Sequence, residues 1–159
     1  MMPRRLPALA IVLGVAGLLP FLAFGLGSVS TNLITSRVAA YVLIGYGAVI
    51  LSFVGAVHWG FTLATEHDPA ERPRLLLGVV PALVGWAALA LTLSTLQPVL
   101  GLLVLIAGFI LTAVAEWHGH SRGWVPGGYI TLRLILTAVV VLILTTVMGV
   151  RLIGGHLIM

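Results

Sequence analysis

The sequence predicts an all-α, polytopic membrane helix bundle: five transmembrane helices with short loops, forming one integral membrane domain over residues 1–159. Three observations lead there. Hydrophobic residues make up 60% of the chain and charged residues only 8%, with a mean hydropathy of +1.21, which leaves too little polar side chain to cover a surface in water. The apolar residues fall in five stretches of about 20, the length a helix rising 1.5 Å per residue needs to cross about 30 Å of hydrocarbon. Most of the charge gathers at the ends of those stretches and on one side of them.

The first span, about residues 8–27, follows Arg4 and Arg5. A charged head before an apolar body also describes a secretory signal, and the segment is read here as a retained helix. The second, about 38–64, is the longest; its roughly 27 residues would extend about 40 Å, so it has to tilt or push an end into the interface. The third, about 75–96, and the fourth, about 98–115, meet at Gln97 and Pro98. Pro98 cannot continue the preceding helix, so these two form a tight antiparallel hairpin. The fifth covers about 129–150. Pro20 and Pro81 predict kinks inside spans one and three, tolerated where neighbours satisfy the released carbonyls. Trp86, near the middle of span three, is expected to face the bundle, because its indole N–H wants a partner in hydrocarbon.

All eight basic residues are arginines. With five spans, Arg4, Arg5, Arg72, Arg74, Arg122 and Arg133 share a side, against Arg37 and Arg151 on the other. The positive-inside rule then predicts a multi-pass protein of the bacterial inner (plasma) membrane with a cytoplasmic N-terminus and a periplasmic C-terminus. Glu66, Asp68, Glu71, Glu116, His58, His67, His118 and His120 also fall on the cytoplasmic side. The net charge of +4 comes from scattered arginines rather than a basic patch, so the expected partners are the lipid bilayer and other membrane-protein subunits, not nucleic acid. Without cysteine there is no disulfide, thiolate metal site or thiol nucleophile.

Span two is rich in small residues. Gly45, Ala48, Ser52, Ala56 and Gly60 share one side of the wheel and form a helix-packing seam along which a neighbouring backbone can approach. His58 lies away from that seam, toward a different neighbour or the headgroups. At the cytoplasmic end of span four, Gly108, Thr112, Glu116 and His120 are spaced by four, and Arg133 and Thr137 share a face one turn into span five. An arginine at that depth is costly unless paired or snorkelling, so Glu116 and Arg133 are expected to form an interhelical ion pair. That pair is either a structural clamp or, with His58, the lining of a polar pocket opening to the cytoplasm.

His118 and His120 are weak metal candidates, because any further ligands would have to come from the fold. A quinone or haem b, the latter held by His58 and a histidine of the fourth loop, is an alternative, though no cofactor is predicted outright. Trp59, Trp117, Trp124 and Tyr129 sit where an interfacial aromatic belt belongs. The chain has no zinc-protease, nucleophile-elbow, P-loop or dinucleotide-binding signature, and no catalytic residue is assigned. Ionisable groups stop at the cytoplasmic rim instead of crossing the bilayer, which argues against a coupled pump.

The stretch from Tyr46 through Ser52 to His58, Trp59 and Gly60 resembles the most recognisable segment of a family of small bacterial inner-membrane proteins that includes the mitochondrial transmembrane protein 69. Trp124, Pro126, Tyr129, Leu132, Arg133, Leu136 and Thr137 are similar to that family's last loop and final helix, and Glu116 takes its acidic position at the end of span four. The resemblance implies the five-span topology and marks Ser52, His58, Trp59, Gly60 and Arg133, and it implies no reaction. The expected function is therefore that of a structural or accessory subunit, or an assembly factor, of a larger membrane complex such as a respiratory one. The alternative is a protein that binds or transports a quinone-, lipid- or haem-like small molecule; an enzyme ranks below both.

Overall fold

The computed structural model describes residues 7–64, 71–123, 125 and 127–156. They form α1 (Ala8–Ala16), α2 (Leu18–Ser28), α3 (Leu33–Leu63), α4 (Glu71–Thr95), α5 (Pro98–Ser121) and α6 (Gly127–His156). Together α1 and α2 make one broken span, so five helical segments are long and apolar enough to cross a membrane. Sequence neighbours pack against one another, α6 closes back onto α1 and α2, and α3 additionally meets α5. The central core joins Phe21, Leu43, Leu51, Leu105, Phe109 and Leu144, each buried, and outward-facing leucine, valine and phenylalanine side chains form the lipid-facing surface.

The helices outrun the apolar stretches predicted for them. Asn32 caps α3 by accepting hydrogen bonds from the backbone N–H of Ile34 (3.0 Å) and Thr35 (3.1 Å), which starts the helix at Leu33 rather than near Val38. Likewise α4 begins at Glu71 and α5 runs to Ser121, because polar residues continue a helix into the interface after the hydrocarbon ends. At 31 residues, α3 is about 46 Å long and extends beyond the hydrocarbon or tilts within it. The α4–α5 turn is as short as expected: Leu96 takes a left-handed φ of 56° and Pro98 opens α5.

The two internal prolines act differently. Pro20 cannot bond the carbonyl of Ala16 and crowds it, and the span breaks one turn earlier, at Gly17. Tyr46 of α3 donates its hydroxyl to the Gly17 carbonyl at 2.9 Å and sets its ring edge-on to Phe21, fixing the break against the bundle. Pro81 leaves α4 continuous. The carbonyl it cannot engage, that of Leu77, lies 3.1 Å from where a Cβ on Gly55 would stand, so the missing side chain lets the α3 backbone close over it. Hydrogen bonds between membrane helices average about 0.6 kcal/mol, so Tyr46→Phe is expected to cost less than about 1 kcal/mol in detergent unfolding.

Helix contact in lipid rests on close packing, since lipid tails are as apolar as leucine. The α3–α4 contact supplies it with small residues: Gly78 receives the ring of Trp59, and Gly85 lies against the backbone of Ala48. That contact corrects the predicted seam. Ala48 is buried and Ser52 half-buried, but Ala56 and Gly60 face outward, and among the described residues nothing outside its own helix lies within 4 Å of a Cβ placed on Gly45 or Gly60. The same contact turns Trp86 outward, 68% exposed, because the packed face of α4 follows Gly78, Pro81, Gly85, Ala88 and Thr92 and residue 86 lies off that line. At the end opposite the α5–α6 loop, Arg151 donates to the carbonyl (2.6 Å) and hydroxyl (3.1 Å) of Ser36, whose hydroxyl donates to Ser28 O, tying α6, α3 and α2 together.

Candidate functional site

Three helices bring one ionisable side chain each to the same depth. His58 lies six positions before the α3 cap at Ala64, Glu116 six before the α5 cap at Arg122, and Arg133 six after Gly127. At 1.5 Å per residue each is about 9 Å inside its helix end. Glu116 occupies the centre. His58 Nε2 reaches its Oε1 at 3.1 Å and Arg133 Nε its Oε2 at 3.2 Å, with His58 and Glu116 fully buried and Arg133 6% exposed.

The pairing of Glu116 with Arg133 spares the bundle an isolated buried charge. The hydrogen-bonding capacity of the cluster is incompletely used. Arg133 Nη1 donates to Thr137 Oγ1, the i+4 neighbour on its own helix. Arg133 Nε meets Glu116 at ion-pair distance but without hydrogen-bond alignment, and among the described residues Arg133 Nη2 and His58 Nδ1 have no well-aligned hydrogen-bond partner. Buried polar atoms without a hydrogen-bond partner are costly and uncommon.

The structure therefore joins the three residues singled out as a polar pocket, and it turns His58 inward onto α5 rather than toward headgroups. His58 and Glu116 are fully buried, so the cluster is covered rather than open to solvent. The adjoining cavity, about 140 Å³, instead runs deeper into the bundle, past Phe21, Val54, Phe109, Leu136 and Val140, with Arg133 in its wall. Tyr129 is half-buried rather than a free belt residue: its hydroxyl is close enough to feel the charges of Glu116 and Arg133, and its ring meets Phe61 edge-on at 5.6 Å. Phe61 in turn stacks edge-on to His58 at 6.0 Å, a cover that the sequence reading missed although His58 and Phe61 are three apart on one helix face.

The other named residues lie apart. Trp59 and Trp117 are outward-facing, and Trp59 donates its indole N–H to Leu75 O at 3.3 Å. Trp124 falls outside the described residues. His118 and His120, two apart on α5, point to different sides: His118 Nδ1 lies 3.2 Å from Val114 O, and His120 Nδ1 2.7 Å from Val125 O. Among the described residues no three histidine or acidic side chains are grouped to hold a metal ion. A haem on His58 would have to displace Glu116 from Nε2, and the adjoining cavity is far smaller than a porphyrin.

Comparison with known proteins places the chain. It is 42% identical over 85 residues to transmembrane protein 69 of Xenopus tropicalis, covering 52% of this chain and 33% of that protein. It is 32% identical over 135 residues to transmembrane protein 69 of Mus musculus, covering 84% of this chain and 52% of that one. The aligned region thus spans between a third and about half of those relatives' length. No solved structure matches. The sequence pattern of the family described as "Protein of unknown function (DUF3429)" matches residues 6–149, nearly the whole chain, and the protein belongs to that family of membrane proteins.

Proposed function

We propose that this protein binds a small membrane-soluble molecule inside its bundle, with His58, Glu116 and Arg133 forming the polar end of the site. The observation that carries this reading is that Arg133, a buried charged residue, lies among the otherwise apolar residues that line a cavity of about 140 Å³. Ionisable residues inside a membrane bundle are costly to retain, and a purely structural clamp would be better served by apolar side chains of similar volume. Native purification in mild detergent, followed by mass spectrometry of the extracted small molecules, tests it. A stoichiometric small molecule in the wild type that is lost from a folded Glu116→Leu/Arg133→Leu double variant supports the proposal. An unchanged extract from that variant overturns it.

The accessory-subunit reading keeps one observation in its favour. Ala56 is exposed on α3, and among the described residues nothing outside its own helix stands within 4 Å of a Cβ placed on Gly60, next to exposed Trp59. A stoichiometric partner chain in native membranes that is lost on Gly60→Leu would establish it.

We place the cluster at the cytoplasmic face of a bacterial inner membrane, on the asymmetry of six arginines against two. A reporter enzyme fused after α6 is expected to be active only on the periplasmic side; cytoplasmic activity would invert this orientation.

A further inference from the structure

We infer that Arg37 and Arg151 form a site for the phosphate of an anionic membrane lipid, at the end of the bundle opposite the His58–Glu116–Arg133 cluster and independent of it. The fold brings the two arginines together. Arg37 lies just over one turn into α3 and Arg151 within the last two turns of α6. Arg151 Nη2 donates to the carbonyl (2.6 Å) and the hydroxyl (3.1 Å) of Ser36, the residue next to Arg37. The two guanidinium groups are near enough for their like charges to act on each other.

No side-chain carboxylate among the described residues balances them. Glu71 opens α4 and Glu116 lies near the end of α5, both at the other end of the bundle, and Glu66 and Asp68 fall in the sequence between α3 and Glu71. An anion between two like charges relieves their repulsion, and a phosphodiester offers two oxygens to the guanidinium forks. The donors are accessible. Arg37 is exposed and no hydrogen bond to a described residue engages it, while Arg151 is half-buried and engages Ser36 through Nη2 alone. The surroundings identify the anion as a lipid's. Ile34 and Val38 share the Arg37 face of α3 and are 78% and 57% exposed, and Leu152 and Ile153, which follow Arg151, are exposed as well. On membrane-spanning helices such side chains meet acyl chains, so a phosphate carrying an apolar tail is held at both ends. A zwitterionic headgroup brings its own cation beside the phosphate, so a net-anionic headgroup suits two unbalanced arginines better.

The test is native mass spectrometry of the detergent-solubilised full chain, equilibrated with dioleoylphosphatidylglycerol and dioleoylphosphatidylcholine together. The wild type is expected to retain phosphatidylglycerol about 25-fold in preference, from about 5-fold for each arginine. Arg37→Gln changes an exposed side chain, so the fold should hold, and the preference is expected to fall about 5-fold. A folded Arg37→Gln/Arg151→Gln variant should lose it, whereas Arg122→Gln, at the opposite end of the bundle, should keep it. Equal retention of the two lipids by the wild type, or an undiminished preference in Arg37→Gln, overturns the inference. An equal loss in Arg122→Gln does so too, because it would mean attraction by net charge rather than a site. Displacement of the bound lipid by an equimolar amount of glycerol phosphate would overturn the lipid assignment in favour of a soluble phosphate.

Discussion

Glu116→Ala is expected to cost about 3–5 kcal/mol of stability, the range seen when one partner of a buried ion pair is removed. Arg133, 6% exposed, would keep its charge without a carboxylate beside it, left with the hydroxyls of Thr137 and Tyr129, and His58 would lose the oxygen on Nε2. Folded proteins are commonly stable by 5–15 kcal/mol, so a loss of this size is readily measured as a fall in the denaturant or thermal midpoint in detergent. Glu116→Gln should fall between, because the amide oxygen still accepts a hydrogen bond while the charge balance is gone. The informative comparison is Glu116→Leu/Arg133→Leu. Removing both charges removes the desolvation cost together with the attraction, so the double variant is expected within about 1 kcal/mol of wild type or above it. A double variant as unstable as Glu116→Ala would mean that the cluster is needed for folding, and the case for a ligand would weaken accordingly.

The spans and the Glu116–Arg133 pair could be read from the sequence because each follows from a local cost. Twenty apolar residues have one favourable environment, and an arginine about one turn inside a span needs a counter-charge. For His58 the sequence left alternatives open, a polar pocket with Glu116 and Arg133 or the headgroups, and only the packing decides between them. The small residues of α3 suggested which face would be covered, but α3 is touched by α2, α4 and α5, and its buried face follows Leu43, Gly47, Leu51, Val54 and His58. Small size marks where a backbone can approach, not where one does: Gly55 and Gly85 are used, Gly45 and Gly60 are not. Tyr129 and Trp86 were misplaced for a related reason, since amphipathic aromatics suit both a belt and a bundle and only the neighbouring helix decides. The kink at Pro20 was readable, but the cavity beside it was not, because its walls come from four different spans.

Gly85→Val is the second large effect, and it follows from what a side chain would meet. A Cβ on Gly85 would stand 2.9 Å from the carbonyl oxygen of Ala48 and 3.1 Å from its Cα. Those are backbone atoms of a continuous helix, so no rotamer change relieves the contact and α3 and α4 must move apart. Overpacking of this kind costs about 1–3 kcal/mol and occasionally more, and the cost belongs at the upper end here because separation also uncovers Gly55 from the Leu77 carbonyl. Gly101→Ala should be milder despite a nearer atom: the closest contact is the Thr92 hydroxyl, which can rotate away, although Ala88 O at 3.0 Å limits the relief. Gly60→Ala supplies the opposite limit. Its Cβ would meet nothing outside its own helix within 4 Å among the described residues, and alanine is the better helix former, so the isolated protein should be unchanged or slightly more stable. Thermal unfolding of the three variants in one detergent orders them: Gly85→Val lowest, Gly101→Ala between, Gly60→Ala at or above wild type. A destabilised Gly60→Ala would mean that another helix rests on that face of α3, the one result in the series that would return weight to a partner subunit.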